Sequence, residues 1–216
     1  MILVIDTSTM MGLCAIAEEK SDGTFNILYE QHVSAELSHS EKLFVGIKEA
    51  LSSCGATFED IKKVVYCSGP GSFTGLRISY SAVKGFFVAK GLVEPFGVST
   101  LKALVKSFAP KDDKLICAIM PAGKNEFFAY GVIAEKCYTE QELLEHLLNL
   151  KGKNVTCIGQ GALDIKEKLI ECGANVPSKP EAHLVNARGM LCLLEEQRFD
   201  GINYLKSSYA EQRRKS

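Results

Sequence analysis

The sequence lacks a long apolar run, an excess of either charge and any C-x-x-C pair. Each absence narrows the range of functions. The longest unbroken apolar stretch, Leu115 to Met120, falls far short of the ~20 residues that a membrane helix needs. Met1 to Asp6 carries no basic segment ahead of its apolar residues, and Asp6 ends that run early, unlike a secretory leader. The expectation is a cytoplasmic protein with no membrane partner. A net charge of −1 offers no field to draw in nucleic acid or an anionic surface. The eight cysteines fall mostly in apolar surroundings at unmatched spacings, which reads as small core residues in a reducing compartment. His32, His39, His146 and His183 include no pair at i, i+4, and H-E-x-x-H is absent. A metallopeptidase reading therefore has no ligand cluster behind it, and no metal is expected.

What is present is a core and a regular order of elements. Hydrophobic residues make up 46% of the chain, too many for a disordered one. Met1–Ile5, Leu13–Ala17 and Phe25–Val33 read as three strands joined by tight turns, an antiparallel meander. Leu43, Ile47, Ala50, Leu51 and Cys54 then recur at helical spacing, behind a capping box of Ser38 and Glu41. Ile61–Cys67 follows a helical crossover and is expected to lie parallel in the same sheet. A helix to about Lys90, a short strand at Pro95–Val98 and a helix capped by Ser99 complete the first half. Pro110-Lys111-Asp112-Asp113 is the best linker. The second half repeats the theme. It has strands at Lys114–Met120 and Glu126–Ala134 around the turn Pro121–Asn125, and a Thr139–Glu142 capping box leading a helix to Leu150. A strand at Asn154–Ile158, a helix from Ala162 to Cys172 and a last long helix through Leu184, Ala187, Leu191 and Leu194 follow. The expectation is an α/β fold of two halves, 1–109 and 110–216, packed face to face.

Gly69–Gly75 reads GPGSFTG, directly after a strand. It is not a P-loop, because Gly71 and Gly75 stand too close together and no lysine follows the last glycine. It is not a dinucleotide fingerprint either, because the third glycine comes one residue late. A helix N-terminus can still hold an anion. The simpler reading is a sharp turn with Ser72 or Thr74 capping the helix that follows. That helix carries two apolar stripes. Leu76, Tyr80, Val83 and Phe87 form one; Gly75, Ser79, Ala82, Phe86 and Ala89 form the other. So wide an apolar surface is buried on more than one side. The second stripe meets either the Ser38–Cys54 helix or another protein chain.

The run Ser68 to Ile78 resembles the signature of the TsaB family, also called YeaZ. Asp6-Thr7-Ser8, His39-Ser40-Glu41 with Leu43, Gly97 to Leu101 and Tyr204-Leu205-Lys206 are similar to that family's pattern as well. The resemblance is strongest through residue 101. It implies a two-lobed actin-like ATPase (ribonuclease H-like) fold, with mixed sheets flanked by helices. It also implies a non-catalytic scaffold in making tRNA threonylcarbamoyladenosine. Such a subunit dimerises with and stabilises a TsaD-like catalytic subunit, joined by a TsaE-like ATPase, and reaches tRNA only through that complex. The resemblance further implies a homodimer when alone, and ATP or ADP only in the complex. The helices matching Ser38–Cys54 and Ser72–Lys90 would build the interface, through Leu43, Ile47, Ser72, Leu76, Ser79, Ala82, Val83 and Phe86.

The residues themselves fit a non-catalytic chain. A kinase site of actin type needs carboxylates on two facing loops to hold Mg²⁺ and orient the nucleophile. Asp6 lies on the first, but Ser8 stands where a glycine would admit a phosphate, and Met120–Asn125 carries no carboxylate. Gly159-x-Gly161 sits where actin-like proteins meet adenosine, and it serves equally as a helix entry. The alternative is a nucleotide-binding ATPase or phosphotransferase that uses Asp6.

Overall fold

Alternation along the strands builds a layered molecule. The computed structural model describes residues 1–34, 39–85, 94–109, 115–195 and 201–205. The first sheet runs β1 (Ile2–Asp6), β2 (Met11–Glu19), β3 (Phe25–Ser34), β4 (Lys63–Gly69) and β5 (Glu94–Ser99) in the spatial order β3-β2-β1-β4-β5. β1, β2 and β3 pair antiparallel, while β4 runs parallel to β1 and β5 parallel to β4. Successive side chains leave opposite faces of a strand. Leu3, Ile5, Cys14, Ile16, Val64 and Tyr66 therefore pack to one side, with α1 (His39–Ser53) and α2 (Phe73–Val83). Ile2, Val4, Leu13, Ala15, Val65 and Cys67 pack to the other.

On that other side lie α3 (Thr100–Phe108) and a short C-terminal helix, and behind them the second sheet. Its strands are β6 (Ile116–Gly123), β7 (Glu126–Gly131), β8 (Lys136–Thr139) and β9 (Thr156–Ile158), in the order β8-β7-β6-β9. Ile116, Ala118, Met120 and Phe128 join the central core; Cys117, Ile119, Phe127 and Ala129 face outward. The outer layer is α4 (Glu140–Leu148), α5 (Gln160–Asp164) and α6 (Lys166–Glu171). The result is helix, sheet, helix, sheet, helix, with the central core shared by both sheets.

Caps stand where local chemistry put them. The Ser72 and Ser99 hydroxyls accept from the N–H groups of Gly75 and Lys102. Thr139 and Glu142 form a full capping box. The expected Ser38 cap and the Pro110–Asp113 linker lie outside the described residues.

Three expectations are corrected. The strand at Lys136–Thr139 was not foreseen; it adds an antiparallel edge beside β7. The helix expected over Ala162–Cys172 breaks at Ile165, whose φ of −118° and ψ of 28° leave the helical region. The expected long last helix is only α7 (Ala187–Leu191). Its intended first residues are held extended instead: His32 Nε2 donates to the Val185 carbonyl at 2.8 Å, and Asn186 N–H donates to Ser107 Oγ at 2.9 Å. Asn186 then caps α7 through Gly189 N–H.

Candidate functional site

The loops singled out in the sequence converge on one cleft. Ser8 to Met11 of the first turn, Gly71-Ser72 of the GPGSFTG turn, Met120-Pro121 of β6 and Gln160 at the start of α5 border a single cavity of about 230 Å³. Leu104 of α3 and the segment His183-Leu184-Val185 complete its wall. A phosphotransferase site here would need carboxylates that face the space.

The chemistry of the cleft is different. Asp6 is fully buried and turns back into its own loop. One carboxylate oxygen accepts from the Ser8 N–H at 2.7 Å and from the Ser8 hydroxyl at 2.5 Å. Burial pushes the Asp6 carboxyl above its usual range, against the lowering effect of the Ser8, Cys67 and Thr9 hydrogen bonds. A carboxyl that burial drives toward its neutral form is a poor anchor for Mg²⁺.

The GPGSFTG turn is buckled onto the same loop. Ser72 N–H donates to the Ser8 carbonyl at 2.8 Å, and the Thr7 hydroxyl donates to the Gly75 carbonyl at 2.6 Å. A Cβ at Gly71 would overlap the Ser8 backbone, and one at Gly75 would overlap the Thr7 carbonyl oxygen. These glycines admit a neighbouring backbone, not a phosphate. The turn thus launches α2 and clamps the Asp6 loop.

His183 was missed as a site residue. Nothing in its sequence surroundings marks it. It is buried, with Nδ1 accepting from Gly159 N–H at 3.1 Å and Nε2 donating to the Pro177 carbonyl at 2.8 Å. These contacts tie the cleft wall to the Gly159 turn. Gly159, with φ 96°, enters α5 without a side-chain cap.

The residues expected at a dimer interface are placed differently. Leu43, Ile47, Leu76, Ser79, Ala82 and Val83 are buried within the chain. Leu43, Ile47, Ala82 and Val83 form one core with β1, β2 and β4. The described members of the second stripe, Gly75, Ser79 and Ala82, are thus covered inside the molecule, with Gly75 against Thr7. Ser72 is exposed as the cap of α2, and Phe86 lies outside the described residues. What the two helices turn outward is Val45, 53% exposed, and Phe73, 39% exposed, with the Arg77 guanidinium 4.5 Å from the Phe73 ring centre. The Tyr204 ring lies tilted against Phe73, with the ring centres 5.2 Å apart. Among the described residues no group of three or more His, Cys, Asp or Glu stands close enough to share a metal ion, and no helix is long and apolar enough to cross a membrane.

The layer order and the cleft define a protein of the actin-like ATPase fold. Solved structures agree. One described as YeaZ from Pseudomonas aeruginosa matches with a TM-score of 0.63, 19% identity and 89% of each chain covered. Another, described as an uncharacterized protein with similarity to peptidase YeaZ from Pseudomonas aeruginosa, matches with a TM-score of 0.69, 18% identity and 95% and 99% of the two chains covered. The family model described as "TsaD: tRNA N6-adenosine threonylcarbamoyltransferase" matches residues 29–151. Curated relatives named tRNA threonylcarbamoyladenosine biosynthesis protein TsaB include that of Escherichia coli, 35% identical over 49% of this chain and 42% of its own length. That of Buchnera aphidicola is 31% identical over 49% of this chain and 47% of its own. In both, the match spans less than half of the relative. The chain belongs to the threonylcarbamoyltransferase family that this model defines, and it is related to proteins named TsaB.

Proposed function

We propose that this chain is a non-catalytic subunit in the synthesis of tRNA threonylcarbamoyladenosine. It pairs with a TsaD-type catalytic subunit, stabilises it, and acts in the cytoplasm. The observation that carries the reading is the closed phosphate side of the cleft. In a family whose relatives are named for this modification, Asp6 bonds its own turn, and the GPGSFTG loop packs against backbone. Nucleotide, a TsaE-type ATPase and tRNA belong to the assembled complex in this proposal. The lobes are taken as 1–109 and 110–216. The contact face is the outward side of α1 and α2, through Val45, Phe73 and Arg77, in place of the stripe expected from the sequence. The same face serves a homodimer when the partner is lacking.

Nucleoside analysis of bulk tRNA by mass spectrometry tests the proposal. Cells depleted of the protein should lose most of their threonylcarbamoyladenosine, and expression of the chain should restore it. A level unchanged by depletion would overturn the assignment. The convergence of four loops on one cleft favours a second reading, an ATPase or phosphotransferase working through Asp6. That reading requires ATP–Mg²⁺ binding by the isolated chain, detectable by calorimetry and removed by Asp6→Asn.

A further inference from the structure

The cleft itself has a composition that the scaffold role does not use. Its polar side chains are all engaged with the chain. Ser8 Oγ donates to Asp6, Thr9 Oγ1 to the Met11 carbonyl at 2.7 Å, and the Gln160 amide to Asp164 at 2.8 Å. Ser72 Oγ accepts from Gly75 N–H, and both His183 ring nitrogens meet backbone groups. Among the described residues lining the cavity there is no Lys, Arg, Asp or Glu. What remains facing the space is apolar, and it is rich in methionine. Met10, Met11 and Met120 are three of the chain's five methionines, and Met10 is 66% exposed at the mouth.

We propose that this cleft is a binding site for an uncharged aromatic molecule of one or two fused rings. Charge sets the first limit: a phosphate or carboxylate would enter without a counter-charge among the described lining side chains, at a heavy desolvation cost. Volume sets the second. About 230 Å³ exceeds the ~150 Å³ of an apolar cavity that holds benzene, and it is smaller than the ~300 Å³ at which drug-sized pockets begin. Thioethers set the third, because flexible, polarisable methionines close around ring edges and faces. The site is independent of the α1–α2 face and of any role in tRNA modification.

The probe is 2-naphthol, neutral at pH 7, added to the full chain carrying ¹³C-labelled methionine methyl groups. Its controls are 2-naphthoate, with the same rings and a charge, and ATP–Mg²⁺. The expected result is saturable shifts of the Met10, Met11 and Met120 methyl signals, with Met1 and Met190 unmoved. 2-Naphthoate should bind at least tenfold more weakly, and Leu184→Trp, which fills the cleft, should weaken 2-naphthol at least tenfold. The proposal is overturned by no shift up to about 1 mM probe, by shifts spread over all five methionines, or by equal or tighter binding of either anion.

Discussion

Asp6 is an acid whose surroundings favour its proton. Its carboxyl is sealed from water, and its hydrogen bonds only partly offset the cost of a buried charge. The folded state therefore binds this proton more tightly than the unfolded chain, where the value is near 3.8. The stability this contributes is complete below that value. It falls as pH rises from there to the raised folded value, and it levels off above it. Asp6→Asn keeps an acceptor for Ser8 and removes the titration. The variant should gain on the native protein as pH rises from about 4 to 7, whatever their order at the acid end. Urea unfolding at the two ends measures it, and parallel stabilities would show that Asp6 is not perturbed. At the same scale, the sequence left Asp6 either as a lone carboxylate on its loop or as the acid of an ATPase or phosphotransferase. The feature that bears on this choice is burial, and burial is invisible in a run such as Asp-Thr-Ser.

The element that organises the site is α2, and its N-terminus does two jobs. Ser72 caps it, and Gly75 lets its first turn lie on Thr7. Gly75→Ala should destabilise the protein by about 3 kcal/mol or more, because the obstacle is backbone that cannot rotate away. Gly85, two residues past the end of α2, meets nothing within 4 Å. Gly85→Ala should instead be neutral or stabilise by up to roughly 1 kcal/mol. Thermal melts of the pair check the claim, and similar losses at both positions would refute it. The contrast also shows which elements can be read from sequence. Caps such as Ser99 and Thr139, and the strand periodicity of β1 to β4, are local and were legible. The break at Ile165 and the shortness of α7 were not. The latter depends on His32 and Ser107, both distant in sequence, which hold residues 185 and 186 extended. Apolar spacing alone cannot report such a pull.

At the scale of the whole molecule, five layers share their cores, and that sharing explains why the residues expected at an interface are buried within the chain. The sequence left the second stripe of the α2 helix to meet either the Ser38–Cys54 helix or another chain. In the fold, α2 packs with the first sheet and α1, and Leu76, Ser79, Ala82 and Val83 of its stripes are buried in the chain itself. Stripes reveal how many sides of a helix are covered, not what covers them. The four loops of the cleft were legible because turns are marked by glycine, proline and small polar residues. The apolar character of the space between them was not, because it arises from residues as far apart as Met10 and Val185. The same logic separates association from folding. Ala82 is 8% exposed and packs in the core, so Ala82→Arg should cost about 3 kcal/mol or more of stability and report little on partners. Val45 is exposed on α1, so Val45→Glu should leave the melting temperature near that of the native protein. If the outward face of α1 and α2 is where another chain docks, Val45→Glu should weaken that pairing by about 2 kcal/mol or more, roughly 30-fold in Kd. Analytical ultracentrifugation of the chain alone, and of its mixture with a TsaD-type subunit, reads the association. A folded Val45→Glu variant that pairs with native affinity in both would move the contact surface off these two helices.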